Sequence, residues 1–292
     1  MRSSNLPRSR WLVVGSATVD CIIRGEERVY KAGGVVVYGG LTLLRYGHEV
    51  AVCANIAAND RDVIMPLRKE GGQLYLGDDT VTTHFINRVE GDDRQQEMPL
   101  AARPIERADL QGAVRASEYV LLGPLHPHDI AEDALAWLSA RGNLTLCADL
   151  QGYIRRVENG LVRARVSASV EGVLQAAECI KLSQDELDLL SVWAKCDIGQ
   201  LIEQYNLREV VVTKGSLGGY VQDLRGTHRF EAEPVTRVCD PTGAGDVFFA
   251  AYLSARIVEK QPISAALRTA ARLAAEQVGG TFLGEDILAL RR

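Results

Sequence analysis

The run Cys239-Asp240-Pro241-Thr242-Gly243-Ala244-Gly245-Asp246-Val247-Phe248-Phe249-Ala250-Ala251-Tyr252 gathers the residue types of phosphoryl transfer. Pro241 clashes with a helical Asp240 and keeps the approach extended. Gly243, Ala244 and Gly245 leave backbone N–H groups uncovered where a helix starts, and such a start holds anions. Asp246 follows in the first turn, where the helix dipole favours its ionised form. The cradle can take the phosphate charge while the acid takes a hydroxyl proton. A capped helix with a glycine turn is the plainer account of Gly-Ala-Gly alone. The whole string Asp-Pro-Thr-Gly-Ala-Gly-Asp before an apolar helix is far more specific.

Apolar runs at 11–14, 50–54, 119–122, 144–148, 179–182 and 210–213 read as buried strands, and 35–46, 130–140, 184–194 and 198–205 as helices. Their alternation predicts βαβ units, hence an α/β fold with a mostly parallel central sheet flanked by helices. Ligands of such sheets collect beyond the carboxyl ends of the strands. Gly15-Ser16, Gly123-Pro124, Asp149-Leu150-Gln151 and Lys214-Gly215 all follow strands. Two segments break the alternation. Residues 21–32 and 80–101 each read as strand, turn and strand, with Gly25-Glu26-Glu27 and Glu90-Gly91-Asp92-Asp93 as turns. Together they predict a small antiparallel β lid that excludes water during transfer. Two ordinary surface hairpins are the alternative.

At 292 residues the chain is long enough for one large α/β domain, taken as 1–292. A net charge of -5 and the lack of a basic block disfavour nucleic acid. No apolar run approaches the roughly 18 residues of a membrane span, and residues 11–14 are too short for a signal-peptide core. Six scattered cysteines, without Cys-x-x-Cys spacing, predict free thiols in a reducing cytoplasm and no zinc site. The five histidines lack ligand spacing. No Gly-x-x-x-x-Gly-Lys-Ser/Thr run is present, so a P-loop is not supported.

These residues resemble the ribokinase-like (PfkB-type) carbohydrate kinases over nearly the full chain. The signature is Asp240 to Asp246, with Pro241 ahead of Thr242. Val14-Gly15-Ser16-Ala17-Thr18-Val19-Asp20 matches the family's strand, glycine and hydroxyl-binding acid. Gly33-Gly34 through Arg45-Tyr46-Gly47 matches its Gly-Gly helix, and Thr213-Lys214-Gly215-Ser216-Leu217-Gly218 its Thr-x-Gly-x-x-Gly stretch. Two positions depart: Tyr38 replaces the usual Asn, and Asn-x-x-Glu becomes Ser183-Gln184-Asp185-Glu186. Gly33-Gly34-Val35-Val36-Val37-Tyr38 and Asp149-Leu150-Gln151-Gly152-Tyr153-Ile154-Arg155 are closer to the inositol-kinase branch.

The resemblance implies a ribokinase-like fold and an ATP-dependent kinase, with ADP still open as donor, acting on a sugar or preferably an inositol-like cyclitol. Asp246 would be the base and Gly243, Ala244 and Gly245 the anion hole. Asp20 would accept two hydroxyl hydrogen bonds and Gly34 would let the substrate ring approach. Asp149, Gln151 and Arg155 offer further polar groups, and Tyr38 either stacks on substrate or fills helix packing. Thr213, Gly215, Gly218 and Gly280 would face the nucleotide. Glu186 would act on Mg2+ through water. Asp240 and Thr242 would help hold a monovalent cation such as K+, or Asp240 simply caps its loop. A homodimer through the lid fits the same family. A ribose or nucleoside kinase and a non-catalytic sugar-binding or regulatory protein are the competing readings; Asp246, intact, speaks against the latter.

Overall fold

Alternate residues of the first strand, β1 (Arg10–Gly15), serve opposite faces of a central sheet. Trp11 and Val13 join one apolar cluster and Leu12 and Val14 the other. A continuous apolar run therefore folds as a strand buried on both sides. The computed structural model describes residues 9–90 and 93–290. Residues 1–8, the Gly91-Asp92 part of the predicted lid turn, and Arg291-Arg292 lie outside the described residues.

After β1 come β2 (Thr18–Arg24), β3 (Glu27–Gly33), α1 (Val35–Arg45), β4 (Glu49–Ala57), α2 (Met65–Lys69), β5 (Gln73–Asp79), β6 (Thr83–Glu90) and β7 (Asp93–Leu100). The middle of the chain forms α3 (Arg107–Ala113), β8 (Tyr119–Gly123), α4 (Glu132–Ser139), β9 (Thr145–Asp149), β10 (Arg155–Glu158), β11 (Leu161–Ala164) and α5 (Val170–Ala176). There follow β12 (Cys179–Ser183), α6 (Gln184–Ala194), α7 (Ile198–Tyr205), β13 (Glu209–Thr213), β14 (Gly219–Asp223), β15 (Gly226–Phe230), α8 (Ala244–Leu253) and α9 (Ile263–Val278).

The central sheet has the order β15-β14-β13-β12-β9-β8-β1-β4-β5. It is parallel from β13 to β5, and β14 and β15 turn back antiparallel at one edge. Helices α1, α8 and α9 cover one face; α3 to α7 cover the other.

A second sheet runs β10-β11-β7-β6-β2-β3. The predicted lid segments supply four of its strands, and β10 and β11 add two. All its pairs are antiparallel except β2 with β6. The added hairpin turns at Asn159 and Gly160, with φ of 51° and 80°. Asn-Gly between short strands is a strong hairpin signal, but the sequence reading did not place a hairpin here. Each cysteine is free, with Cys21, Cys53, Cys147 and Cys179 buried. Among the described residues no helix is long and apolar enough to cross a membrane.

Candidate active site

Helix α8 begins near residues of both sheets, since Asp149 of β9 and Asp20 of β2 both act on the Asp246 carboxyl in its first turn. Gly243 is its N-cap residue, in the left-handed region at φ 74°. Every residue from Val247 to Leu253 is buried, which fixes the helix against α1 and α9. The N–H groups of Gly243, Gly245 and Asp246 have no hydrogen-bond partner among the described residues, as expected for the first turn of a helix. Ala244 departs from its predicted role: its N–H donates to the Pro241 carbonyl at 3.2 Å, closing the turn instead of facing an anion. The cradle is therefore formed by Gly243, Gly245 and Asp246.

Beside it stands a cation that the sequence reading missed. Lys181 lies within β12, in register with Asp149 of β9. Its Nζ donates to Asp149 Oδ2 at 2.8 Å, with both residues buried. The same Nζ is 3.1 Å from where a Cβ on Gly245 would stand. Burial alone would lower the lysine's pKa, but Asp149, Asp246 and Glu186 push it up, so it stays charged. A lysine inside an otherwise apolar strand was the available signal, because buried lysines are almost always paired. Asp149 is correspondingly reassigned. Its second oxygen accepts the Gln151 N–H at 3.0 Å, and the side chain is wholly buried. It holds Lys181 and the turn rather than reaching for substrate hydroxyls.

Burial pushes the Asp246 carboxyl up to about 7; Lys181 and Arg155 pull it down, and Asp149 and Asp20 push it up. The structure thus brings Asp20, Asp149, Arg155 and Asp246 into one electrostatic neighbourhood. Asp20, on the lid strand β2, is nearly buried and accepts the Thr18 hydroxyl at 2.7 Å. Arg155 is half-buried at the start of β10, and Gln151 is half-buried in the preceding turn. Gly34 caps α1 at φ 94°; a Cβ there would run into the Ser16 carbonyl. Local backbone crowding accounts for this glycine without a substrate ring.

Tyr38 fills helix packing and does not present its ring to a ligand, because it is 1% exposed beneath Gly243. Its buried hydroxyl has no hydrogen-bond partner among the described residues. Burial, then Asp240, Asp20 and Asp246, raise its pKa well above the usual value.

Among the residues predicted to face the nucleotide, Thr213 ends β13 and Gly215 opens the turn that Gly218 closes, with Lys214 N–H donating to the Gly218 carbonyl at 2.7 Å. Gly218 abuts residues 230–232. Gly280, beyond α9, abuts Cys239. Both predicted contacts therefore border the stretch 230–240 that leads into the cradle. Leu217 and Val238 expose apolar side chains on these loops.

Glu186 caps α6 reciprocally with Ser183: its Oε2 accepts the Ser183 N–H at 2.7 Å and Ser183 Oγ accepts the Glu186 N–H at 3.2 Å. Ser183 thus finds a structural use. No group of three or more metal-ligating side chains occurs among the described residues. The residues fit a Mg2+ held by phosphates and water, the usual arrangement for that ion, and not a protein cage. Asp240 and Thr242 do not fit a dissociable K+. Asp240 pairs with Lys31 Nζ at 2.8 Å and accepts both the N–H and the hydroxyl of Thr242.

A sequence search of the curated proteins gives no match. Among solved structures, a sulfate complex of a pyrophosphate-dependent kinase in the ribokinase family aligns with a TM-score of 0.80 at 25% identity, over 92% of this chain and 95% of its own. A pyrophosphate-dependent kinase of that family complexed with a pyrophosphate analog and myo-inositol gives 0.80 at 24%, over 92% and 94%. Ribokinase from Thermotoga maritima gives 0.73 at 17%, over 93% of each chain. The model of the pfkB family of carbohydrate kinases matches residues 106–286, more than half of the sequence. That match, over the segment that carries Asp246 at the start of α8, places the protein: this chain belongs to the pfkB family of carbohydrate kinases.

Proposed function

We propose that this protein transfers the terminal phosphoryl group of ATP to a hydroxyl of a small sugar or cyclitol, with an inositol-like ring preferred. The observation that carries this reading is the Asp246 carboxyl, raised to about 7, at a helix start with uncovered N–H groups and a buried ammonium beside it. A base of that strength is half-ionised near neutrality and ready to take a hydroxyl proton. The transition state of phosphoryl transfer is loose, so that proton can leave late. The N–H groups of Gly243, Gly245 and Asp246, with Lys181, stabilise charge on the phosphoryl oxygens. Asp20, Gln151 and Arg155 bind and orient acceptor hydroxyls, and the lid keeps water away from the bond being formed. Glu186 would hold Mg2+ through water, and the ion would supply neutralisation of charge on the donor phosphates.

Leu217 and Val238 favour a nucleotide, since they offer apolar cover to a base that pyrophosphate would not need. Pyrophosphate is the second donor to weigh, because a kinase 25% identical to this chain depends on it. Tyr38, in place of Asn, weakens the ribose and nucleoside reading. The test is one panel. Purified protein receives Mg-ATP, Mg-ADP or Mg-pyrophosphate with myo-inositol, other cyclitols, ribose, fructose or nucleosides, and phosphorylated product is measured. Product from ATP with a cyclitol is expected. Product from pyrophosphate alone overturns the donor, and no product from any pair overturns the kinase reading.

A further inference from the structure

The family pattern puts a monovalent cation at Asp240 and Thr242, and in this chain the position is already served by a side chain. Lys31 sits opposite Asp20 in the antiparallel pair of β3 with β2, so the two side chains share one face of the lid sheet. From that face Lys31 Nζ reaches the loop ahead of α8 and donates to Asp240 Oδ2 at 2.8 Å. The two side chains are 9% and 10% exposed. Asp240 Oδ1 accepts the Thr242 N–H at 3.0 Å and the Thr242 hydroxyl at 2.7 Å. Both carboxylate oxygens are thus engaged, one by a full positive charge. Burial works to raise the Asp240 carboxyl, yet the hydrogen bonds from Lys31 and Thr242 and the lysine charge hold it below the usual range. An alkali ion at this carboxylate would have to displace the ammonium or share its oxygen against like-charge repulsion.

We propose that Lys31 is a tethered monovalent cation, replacing a dissociable potassium ion in holding the 240–243 turn that presents the anion cradle. Lys31 is a positioning residue: it acts on Gly243 and Gly245 through Asp240 and touches no reacting atom. The same contact ties a lid strand to the cradle across 209 positions of sequence, so this ion pair couples cradle geometry to lid placement. The inference rests on the phosphoryl-transfer reading for its catalytic consequence, and on the Lys31–Asp240 geometry alone for its structural one.

The experiment compares potassium chloride with tetramethylammonium chloride at equal ionic strength, using the full chain and Lys31→Met. Thermal melting comes first, because it needs no substrate. The wild-type Tm should be the same in both salts. Lys31→Met, which leaves the buried Asp240 without its ammonium partner, should melt lower and gain roughly 2–4 °C when potassium replaces tetramethylammonium. Phosphorylation rates should follow: wild type indifferent, and Lys31→Met rescued several-fold by potassium or ammonium ion. A wild type that potassium stabilises or activates overturns the proposal. So does a folded Lys31→Met that ignores potassium. If Lys31→Met does not fold, the wild-type comparison decides. If no acceptor is ever phosphorylated, the kinase reading fails while the melting comparison still rules on Lys31.

Discussion

The ring of Tyr38 fills the space beside Gly243 Cα, where any other residue would carry its Cβ. Gly243 also sits at φ 74°, so substitution there meets both backbone strain and a steric barrier. Gly243→Ala should cost about 1–3 kcal/mol of stability, read by thermal or denaturant unfolding. It should also lower turnover far more than it lowers acceptor affinity, because the cradle is displaced. Tyr38→Phe is the complementary change. It deletes a buried hydroxyl that has no hydrogen-bond partner among the described residues, so stability should be unchanged or higher.

Asp246→Asn should reduce turnover roughly a hundredfold or more while leaving donor affinity nearly intact. A mild loss would count against its role as base. In the wild type, kcat/KM should fall as pH drops through about 7, where the carboxyl takes up its proton. Stability has the opposite sense. The folded carboxyl is raised above its ordinary 3.8, so its contribution is full below that value and is lost as pH rises through about 7. Melting temperatures followed from pH 4 to pH 8 should show that loss, and Asp246→Asn should flatten it.

Lys181→Met leaves Asp149 charged and buried without its partner. Breaking such a pair costs on the order of 3–5 kcal/mol, measurable by unfolding. Adding Asp149→Leu should restore much of that stability without restoring turnover. A double variant that recovers both would reduce Lys181 to a structural role.

Asp20→Ala should raise the acceptor KM strongly and spare the donor KM, because Asp20 projects from the lid strand and not from the donor loops. Equal effects on both constants would refute the assignment. Initial-rate kinetics with each substrate varied in turn provides the measurement.

Local chemistry explains which parts were legible. Helices α6 and α7 agree with the sequence reading at both ends, since Ser183 with Glu186 and Asp197 with Gln200 form capping boxes at their starts. The parallel strands were visible as short apolar runs because both faces of the sheet are covered. Hairpin β10–β11 was overlooked because its strands are only four residues long and none of their side chains is fully buried, leaving Asn159-Gly160 as the clearest signal. The cradle was legible because its glycines and acid are contiguous. Lys31 with Asp240 and Lys181 with Asp149 were not, since each pair joins distant segments that only the sheet topology brings together. Asp149 misled for a related reason: the end of a strand marks a ligand cleft, but register gave its carboxylate to a neighbouring lysine.

The burial of α8 from Val247 to Leu253 has a consequence for how the molecule responds to heat. Amide exchange should be slowest along that helix, where opening requires the whole core to come apart. The lid sheet has little core of its own: Phe85 and Met98 form a small buried cluster with Leu125, which follows β8 of the central sheet. Warming should therefore release Asp20 from its working position while Asp246 still holds its own. Loss of acceptor recognition would then precede the melting of the protein.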